Sequence, residues 1–464
     1  MDTIWQKQQI SGEGPKYKRV IRLIRAAIDS GELAVGARLP PVRELAWQLE
    51  ITPGTVARAY GALTDEGLLL AEVGRGTFVA PSRTEVLDDV WSQPAAPGEP
   101  NVVSLFSPRL PDAGQGEAIR AALVQIARGP VEGLLNYPTR DAYRPVRQAV
   151  VDWLADLPLG ALVEEDVVLA HGGQSAITLV MQAALRGPKP VILVEDLSYA
   201  GFRRAAEIMR AEVVGVAMDA QGVLPDALEH AAKTSGAQLF CTTPEVQNPT
   251  GGQTSHERRK AVVAVARRLG LGILEDDCYG LARPRVPSYR ALMPGNTWHV
   301  SSISKSLTPA LRFGYALAPT GRSADLRRVA EYGFFGLAYP VAELARILLT
   351  DPGTRRIAER SRARIGDYVE VAVNALGGFE LQWDREVPFV WLHLPPGWRA
   401  AGFCRAAENQ GVLIRSADEF ALRDGRAPHA VRIAVNGQVG LRAFEAAMLR
   451  LRMLLDNPPE QISV

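Results

Sequence analysis

Four stretches of this chain, far apart in sequence, carry residue types that could share one piece of chemistry. The first is Ser301-Ser-Ile-Ser-Lys305-Ser-Leu-Thr-Pro-Ala-Leu-Arg312-Phe-Gly-Tyr315, which offers a primary amine, several hydroxyls and an arginine. Alone, a lysine among serines reads equally well as a solvated surface residue. The second, Ile273-Leu-Glu-Asp276-Asp-Cys-Tyr279, runs an apolar strand into carboxylates and a phenol, and by itself is also a strand end beside a helix cap. The third, Cys241-Thr-Thr-Pro-Glu-Val-Gln-Asn248-Pro-Thr-Gly-Gly252, has a composition that turn chemistry alone accounts for. The fourth, Ala170-His-Gly-Gly173-Gln174-Ser-Ala-Ile, puts glycines between a strand and a helix, where free backbone N–H groups bind an anion.

Taken together the four meet the needs of pyridoxal phosphate. Its aldehyde requires a lysine for a Schiff base, and its pyridine nitrogen needs an anionic partner to stay protonated and act as an electron sink. Its phenolate oxygen needs donors, and its phosphate needs backbone amides at a helix start with an arginine. The elements around these stretches suit the task. Val191–Asp196 and Gly272–Glu275 are short apolar runs of the kind that form buried parallel strands, and helical stretches such as Glu257–Leu269 lie between them. That alternation predicts a doubly wound α/β core.

The N-terminal 80 residues read differently. Tyr17, Val20, Ile21, Ile24, Ala27 and Ile28 fall at helical spacing, with Gly31 as a stop. A second helix follows Pro40-Pro41 with Val42, Leu45, Ala46 and Leu49 on one face. A third is capped by Thr52, has Pro53 in its first turn, and runs through Val56, Ala59, Tyr60 and Leu63 to Gly67. Leu68–Glu72, a Gly74-Arg75-Gly76 turn and Thr77–Ala80 predict a β-hairpin. Three helices and a hairpin make a winged helix-turn-helix, although the same periodicity also suits a small helical interaction module. Residues 81–100 carry four prolines and little apolar periodicity, so they read as a linker. The expected domains are therefore 1–80, a linker over 81–100, and 101–464.

Composition bounds the rest. The chain has 464 residues, 47% hydrophobic and 22% charged, enough to bury a substantial core. Its 52 Lys+Arg against 51 Asp+Glu give a formal charge of +1, and residues 1–80 hold ten basic and nine acidic residues. No global field announces a polyanionic partner. Three scattered cysteines predict neither a disulfide framework nor a metal site. The first residues lack the pattern of a secretory signal, and no apolar run approaches the ~20 residues of a membrane span, so the expectation is a cytoplasmic protein with no membrane partner.

The stretch GARLPPVRELAWQLEITPGTVARAYGALTDEGLLLAEVGRGTFV resembles the N-terminal domain of GntR-type bacterial transcription regulators, across nearly all of residues 12–80. The resemblance implies a third helix in the major groove of double-stranded DNA and a wing on the adjacent groove or backbone. It marks Arg38, Arg43, Thr52, Thr55, Arg58, Arg75, Gly76 and Thr77 as contacts. Where that family often has arginine and a polar residue after the cap, this chain has Pro53-Gly54, which puts base specificity there in doubt.

In order and spacing, the four chemical stretches resemble fold-type I aminotransferases over residues 100–455. The resemblance implies a large doubly wound α/β subdomain, a smaller C-terminal α/β subdomain from about residue 330, and a homodimer with interfacial active sites. It makes Lys305 the Schiff-base lysine, Asp276 the partner of the pyridine nitrogen, and Tyr279 and Asn248 the donors to the phenolic oxygen. Gly173, Gln174, Ser302, Ser304 and Arg312 would hold the phosphate, Tyr199 would stack on the ring, and Tyr137 would reach the phosphate across the dimer. Asp141-Ala142 stand after Tyr137 where the family usually has glycine. Arg432, in Val431-Arg-Ile-Ala-Val, matches an arginine that pairs with a substrate carboxylate.

The fusion as a whole resembles the MocR/GabR-type regulators. It implies a transcription regulator that senses a small primary amine or amino acid as an aldimine with pyridoxal 5'-phosphate. Two other readings stay open: an active aminotransferase with an accessory DNA-binding domain, and a pyridoxal phosphate sensor controlling vitamin B6 synthesis.

Overall fold

The structure, a computed structural model, describes residues 15–34, 36–65, 68–72, 76–79, 102–130, 132–279, 286–422, 425 and 427–458. The chain divides into two compact units, residues 1–98 and 99–464. The expected linker and the wing tip with Arg75 lie outside the described residues.

In the first unit α1 (Lys16–Asp29), α2 (Val42–Gln48) and α3 (Pro53–Asp65) precede an antiparallel hairpin of β1 (Leu69–Glu72) and β2 (Gly76–Val79). The apolar positions read from sequence close the core: Val20, Ile24, Leu45, Val56, Leu63, Leu69 and Val79 are buried together. Removing that surface from water supplies the drive for a unit this small. Leu39 N donates to Thr77 O at 2.8 Å and Val79 N to Ala37 O at 2.9 Å, so the segment before α2 binds the wing.

The second unit is built on a seven-stranded sheet. Its strands are β4 (Val167–Ala170), β5 (Val191–Glu195), β6 (Glu212–Val216), β7 (Leu239–Thr242), β8 (Gly272–Asp276), β9 (Thr297–Ser302) and β10 (Gly314–Leu317), in the order β4-β10-β9-β8-β7-β5-β6. Helices α4 (Gly173–Ala184), α5 (Ala200–Ile208) and α6 (His256–Leu269) connect them. The strands β5 to β9 pair in parallel, but β10 is antiparallel to both β9 and β4, so the sheet is mixed rather than uniformly parallel. The cause is the connection from Ser302 to Gly314, which is too short for a crossover helix and reverses the chain.

A second, antiparallel sheet completes the unit, with strands β11 (Leu381–Gln382), β12 (Phe389–His393), β14 (Arg415–Ser416) and β15 (Ala430–Ala434) in the order β11-β12-β15-β14. Helices α7 (Pro352–Leu376) and α8 (Leu441–Asp456) cover it through Val369, Leu376, Phe444 and Leu451. Early residues join the same subdomain: β3 (Val103–Ser104) pairs in parallel with β13 (Val412–Leu413) as a separate two-stranded sheet, and Leu105 N donates to Leu413 O while Leu105 O accepts from Ala434 N. The smaller subdomain is therefore not C-terminal alone. No described helix is long and apolar enough to cross a membrane.

Candidate functional site

The carboxyl ends of the parallel strands, where α/β sheets place their ligands, gather most of the predicted residues. Beyond β4, Gly172 takes φ +83° and Gly173 opens α4. A Cβ on Gly172 would stand 2.8 Å from Arg312 Nη2, and one on Gly314 would stand 2.5 Å from the Gly172 carbonyl carbon, so close approach demands both glycines. Arg312, itself at φ +48°, donates to His171 O at 3.4 Å. Ser302 caps the turn that follows β9 by accepting from Ser304 N at 3.4 Å. The helix start, its dipole and Arg312 form an anion cradle. Gln174 stands in the first turn of α4, and its side-chain amide donates to Gly201 O at 2.9 Å and accepts from Tyr199 Oη at 3.2 Å, which holds Tyr199 in position.

Lys305 ends the turn Ile303–Lys305 and its Nζ donates to Pro108 O at 3.2 Å. Burial, followed by the Arg432 guanidinium, pushes its pKa down to about 8, with Arg312 and Arg109 adding to the effect. Desolvation and neighbouring cations both favour the neutral amine, the form that attacks an aldehyde. Asp276 closes β8, and burial raises its carboxyl to about 6 although Cys278 Sγ donates to Oδ1 at 2.8 Å.

Arg432 projects from β15 into a buried aromatic slot, 5.2 Å from the ring centroid of Phe389 and 4.7 Å from that of Phe420. Its Nη1 donates to Asn248 Oδ1 at 2.6 Å and its Nη2 to Phe106 O at 2.7 Å. Its Nε is buried and has no acceptor among the described residues. Burial lowers its pKa to about 10. The Asn248 loop stands on a buried network in which Asn248 N donates to Thr243 Oγ1, and Gln247 Nε2 donates to Leu197 O at 2.6 Å and to Glu195 Oε2 at 3.4 Å. Burial pushes Glu195 up to about 7. Tyr279 sits edge-on to Phe389 with ring centroids 5.7 Å apart.

One predicted residue stands apart. Tyr137 is 87% exposed, its ring 6.5 Å from that of Phe335, and it does not join the other residues within a single chain. Sequence reading missed Cys278, the carbonyls of Phe106 and Pro108, and the Phe389 and Phe420 walls. Only Cys278 had a visible signal, because it lies between two flagged residues. The amine, the buried carboxylate and the glycine-lined helix start beside Arg312 fit pyridoxal phosphate, and the orphaned Nε of Arg432 fits a further anionic group.

Among the described candidate DNA contacts, Arg38 lies in the segment that bridges to the wing ahead of α2, Arg43 is on α2, Thr52 precedes α3, Thr55 and Arg58 are on α3, and Gly76 and Thr77 are in the wing. Arg38 and Arg43 are exposed, and Arg38 packs on the wing so closely that a Cβ on Gly76 would meet its Nε at 2.9 Å. Thr77 lies in the same wing. The hydroxyls of Thr52 and Thr55 bond to each other at 2.8 Å at the start of α3. Arg58 is exposed and stacks over Tyr17 of α1 at 4.2 Å, a pairing the sequence did not suggest.

Comparison with known proteins agrees with this geometry. The family "Aminotransferase class I and II" matches residues 101–440, and "Bacterial regulatory proteins, gntR family" matches residues 16–79. The HTH-type transcriptional regulator YdeF of Bacillus subtilis is 26% identical over 458 residues, covering 98% of this chain and 97% of YdeF. The HTH-type transcriptional regulator TauR of Rhodobacter capsulatus is 30% identical over 372 residues, 73% of this chain and 74% of TauR. The crystal structure of LysN, an α-aminoadipate aminotransferase of Thermus thermophilus complexed with N-(5'-phosphopyridoxyl)-L-leucine, superposes with a TM-score of 0.67 at 24% identity, over 81% of this chain and 98% of LysN. The chain belongs to the class I and II aminotransferase family and, within it, to the HTH-type regulators of the MocR type, in which a GntR-family domain precedes an aminotransferase-like domain.

Proposed function

We propose that the protein is a pyridoxal phosphate-dependent, DNA-binding transcription regulator whose aminotransferase-like domain senses a small primary amine bearing an anionic group. The observation that carries this reading is a buried Lys305, its amine lowered toward neutrality within the field of Arg432, Arg312 and Cys278, in a chain that also holds a winged helix. When bound, the cofactor supplies an aldehyde that captures amines reversibly and a ring that accepts electron density.

The roles of the protein groups are those that the aminotransferase resemblance implies. Lys305 Nζ would hold the cofactor, and an incoming amine would compete for its place. Asp276 would keep a proton on the pyridine nitrogen, Asn248 and Tyr279 would face the phenolic oxygen, and Tyr199 would stack on the ring. Gly173, Gln174, Ser302, Ser304 and Arg312 would bind the phosphate. Arg432 would take the effector's anionic group, which favours amino acids and GABA-like or taurine-like compounds. The exposed Tyr137 suits a homodimer in which it completes a neighbouring site. DNA would be held by Arg38, Arg43, Thr52, Thr55, Arg58, Arg75, Gly76 and Thr77. Capture of the amine alters DNA affinity only if the effector contacts two domain arrangements differently.

Lys305→Ala tests the reading. It should retain operator binding yet lose amine-dependent change in that binding, and borohydride reduction should leave no cofactor attached to the chain. Unchanged amine-dependent regulation in this variant overturns the proposal. The complete set of groups around Lys305 also suits an enzyme, and steady turnover of amino donor and keto acceptor, unaffected by deleting residues 1–80, would establish that reading instead. A change of DNA affinity on adding pyridoxal phosphate alone would identify the cofactor as the effector.

A further inference from the structure

Cys278 lies beside the cofactor-site residues but has no part in the reading above. Its Sγ is 2.8 Å from Asp276 Oδ1, and Ser302 Oγ donates to it at 3.6 Å from the other side. A Cβ on Gly173 would stand 3.1 Å from the same sulfur, so the glycine that opens α4 also makes room for the thiol. The thiol is thus held between a carboxylate, the end of β9 and the start of α4.

We propose that Cys278 is a positioning residue for the cofactor: its S–H donates to Asp276 Oδ1 and thereby fixes both the direction and the proton affinity of the carboxylate that faces the pyridine nitrogen. The inference rests on the assignment of Asp276 to that nitrogen. Burial, with Asp276 next in effect, keeps the thiol titrating well above its ordinary range, so the sulfur stays protonated and acts as a donor. Asp276 is pushed up chiefly by burial and also by Asp277, while the Cys278 hydrogen bond and His299 pull it down. Tyr199 and Tyr279 are the other titratable groups within its field, and Lys305 lies within that of Cys278. A donor to the ionised carboxylate lowers its proton affinity, which leaves the proton on the ring nitrogen. Without it, the shared proton moves toward Asp276 and the ring loses positive charge. Sulfur is a weak donor in water, but removal from bulk solvent strengthens the bond.

The test compares Cys278→Ala with Cys278→Ser, which restores a donor of similar reach. In the cofactor-free full-length protein, carbon-13 NMR of the Asp276 carboxyl should show its midpoint rising by about 0.4–1 pH unit in Cys278→Ala, the equivalent of one ordinary net hydrogen bond, and returning toward wild type in Cys278→Ser. In protein loaded with pyridoxal phosphate, the pH midpoint of the cofactor absorbance should move upward in Cys278→Ala by a similar amount. Equal midpoints in wild type and Cys278→Ala overturn the proposal, as do equal displacements in both variants, which mark a packing role. If wild-type protein takes up no pyridoxal phosphate, the assignment of Asp276 fails, while the NMR arm still decides whether Cys278 governs that carboxyl.

Discussion

The two units use arginine in opposite ways. In the winged helix, Arg38, Arg43 and Arg58 are exposed, Arg58 stacking on Tyr17 and Arg38 touching the wing. In the aminotransferase-like unit, Arg432 is buried, its fork engaged by Asn248 and Phe106 and its faces covered by Phe389 and Phe420. A long polyanion is bound by several hydrated contacts that release counterions, so arginines that meet one can stay in solvent. A small anion offers one group, and a single guanidinium gains selectivity only where it is pre-oriented and water is excluded. Desolvation is the cost, visible in the lowered pKa values of both Arg432 and Lys305.

This contrast breaks most sharply at Arg432. Arg432→Lys keeps the charge but not the fork, and should weaken γ-aminobutyrate binding to cofactor-loaded protein by about 2–5 kcal/mol, thirtyfold or more, in an absorbance titration. Binding of n-butylamine, which lacks the carboxylate, should change far less. Equal losses for both amines would remove Arg432 from anion recognition.

A smaller effect concerns the amine beside it. The Lys305 pKa is depressed from its ordinary 10.5 to about 8, so the rate at which cofactor-free protein captures pyridoxal phosphate should rise about tenfold per pH unit below 8 and level off above it. A plateau reached only near pH 10 would contradict the burial of this amine. The sign for stability follows from the same shift. The unfolded chain binds this proton more tightly than the folded one, so the contribution of Lys305 to stability increases with pH between about 8 and 10.5.

The smallest changes are expected on the hydrated side. Arg38→Ala, Arg43→Ala or Arg58→Ala should each weaken DNA binding a few-fold to about tenfold and lower the slope of log affinity against log salt by about 1. Amine binding at Arg432 should be nearly flat over the same salt range. A salt slope unchanged in all three variants would take these arginines off the DNA.

Much of this molecule is legible in the sequence because the decisive signals are local. Helical spacing, Thr52-Pro53 and the Gly-rich wing prescribe α3 and the hairpin without reference to any distant residue. Lys305, Asp276, Asn248 and Gly173 each sit at a strand end or turn that their own neighbours specify. The side chain of Gln174, by contrast, engages Tyr199 and Gly201 rather than only marking a phosphate-binding turn. The short connection from Ser302 to Gly314 already carried the reversal that makes the sheet mixed, although the apolar pattern of β10 could not show its direction.

Composition did not reveal the partners. A net charge of +1 over 464 residues averages the exposed Arg38, Arg43 and Arg58 against acidic residues of the same unit and of the rest of the chain, and a count cannot see placement. The sequence by itself determined the order of elements, the residues capable of the chemistry and the joining of two unlike domains. Only the tertiary structure decided that Phe106 O and Arg432 meet across 326 positions, that β3 pairs with β13 beside the second sheet, and that the Cys278 thiol points at Asp276. Those contacts join segments whose separation in sequence carries no periodic signal, and they exist because folding brings the sheet ends and the smaller subdomain together, where burial strengthens each polar contact.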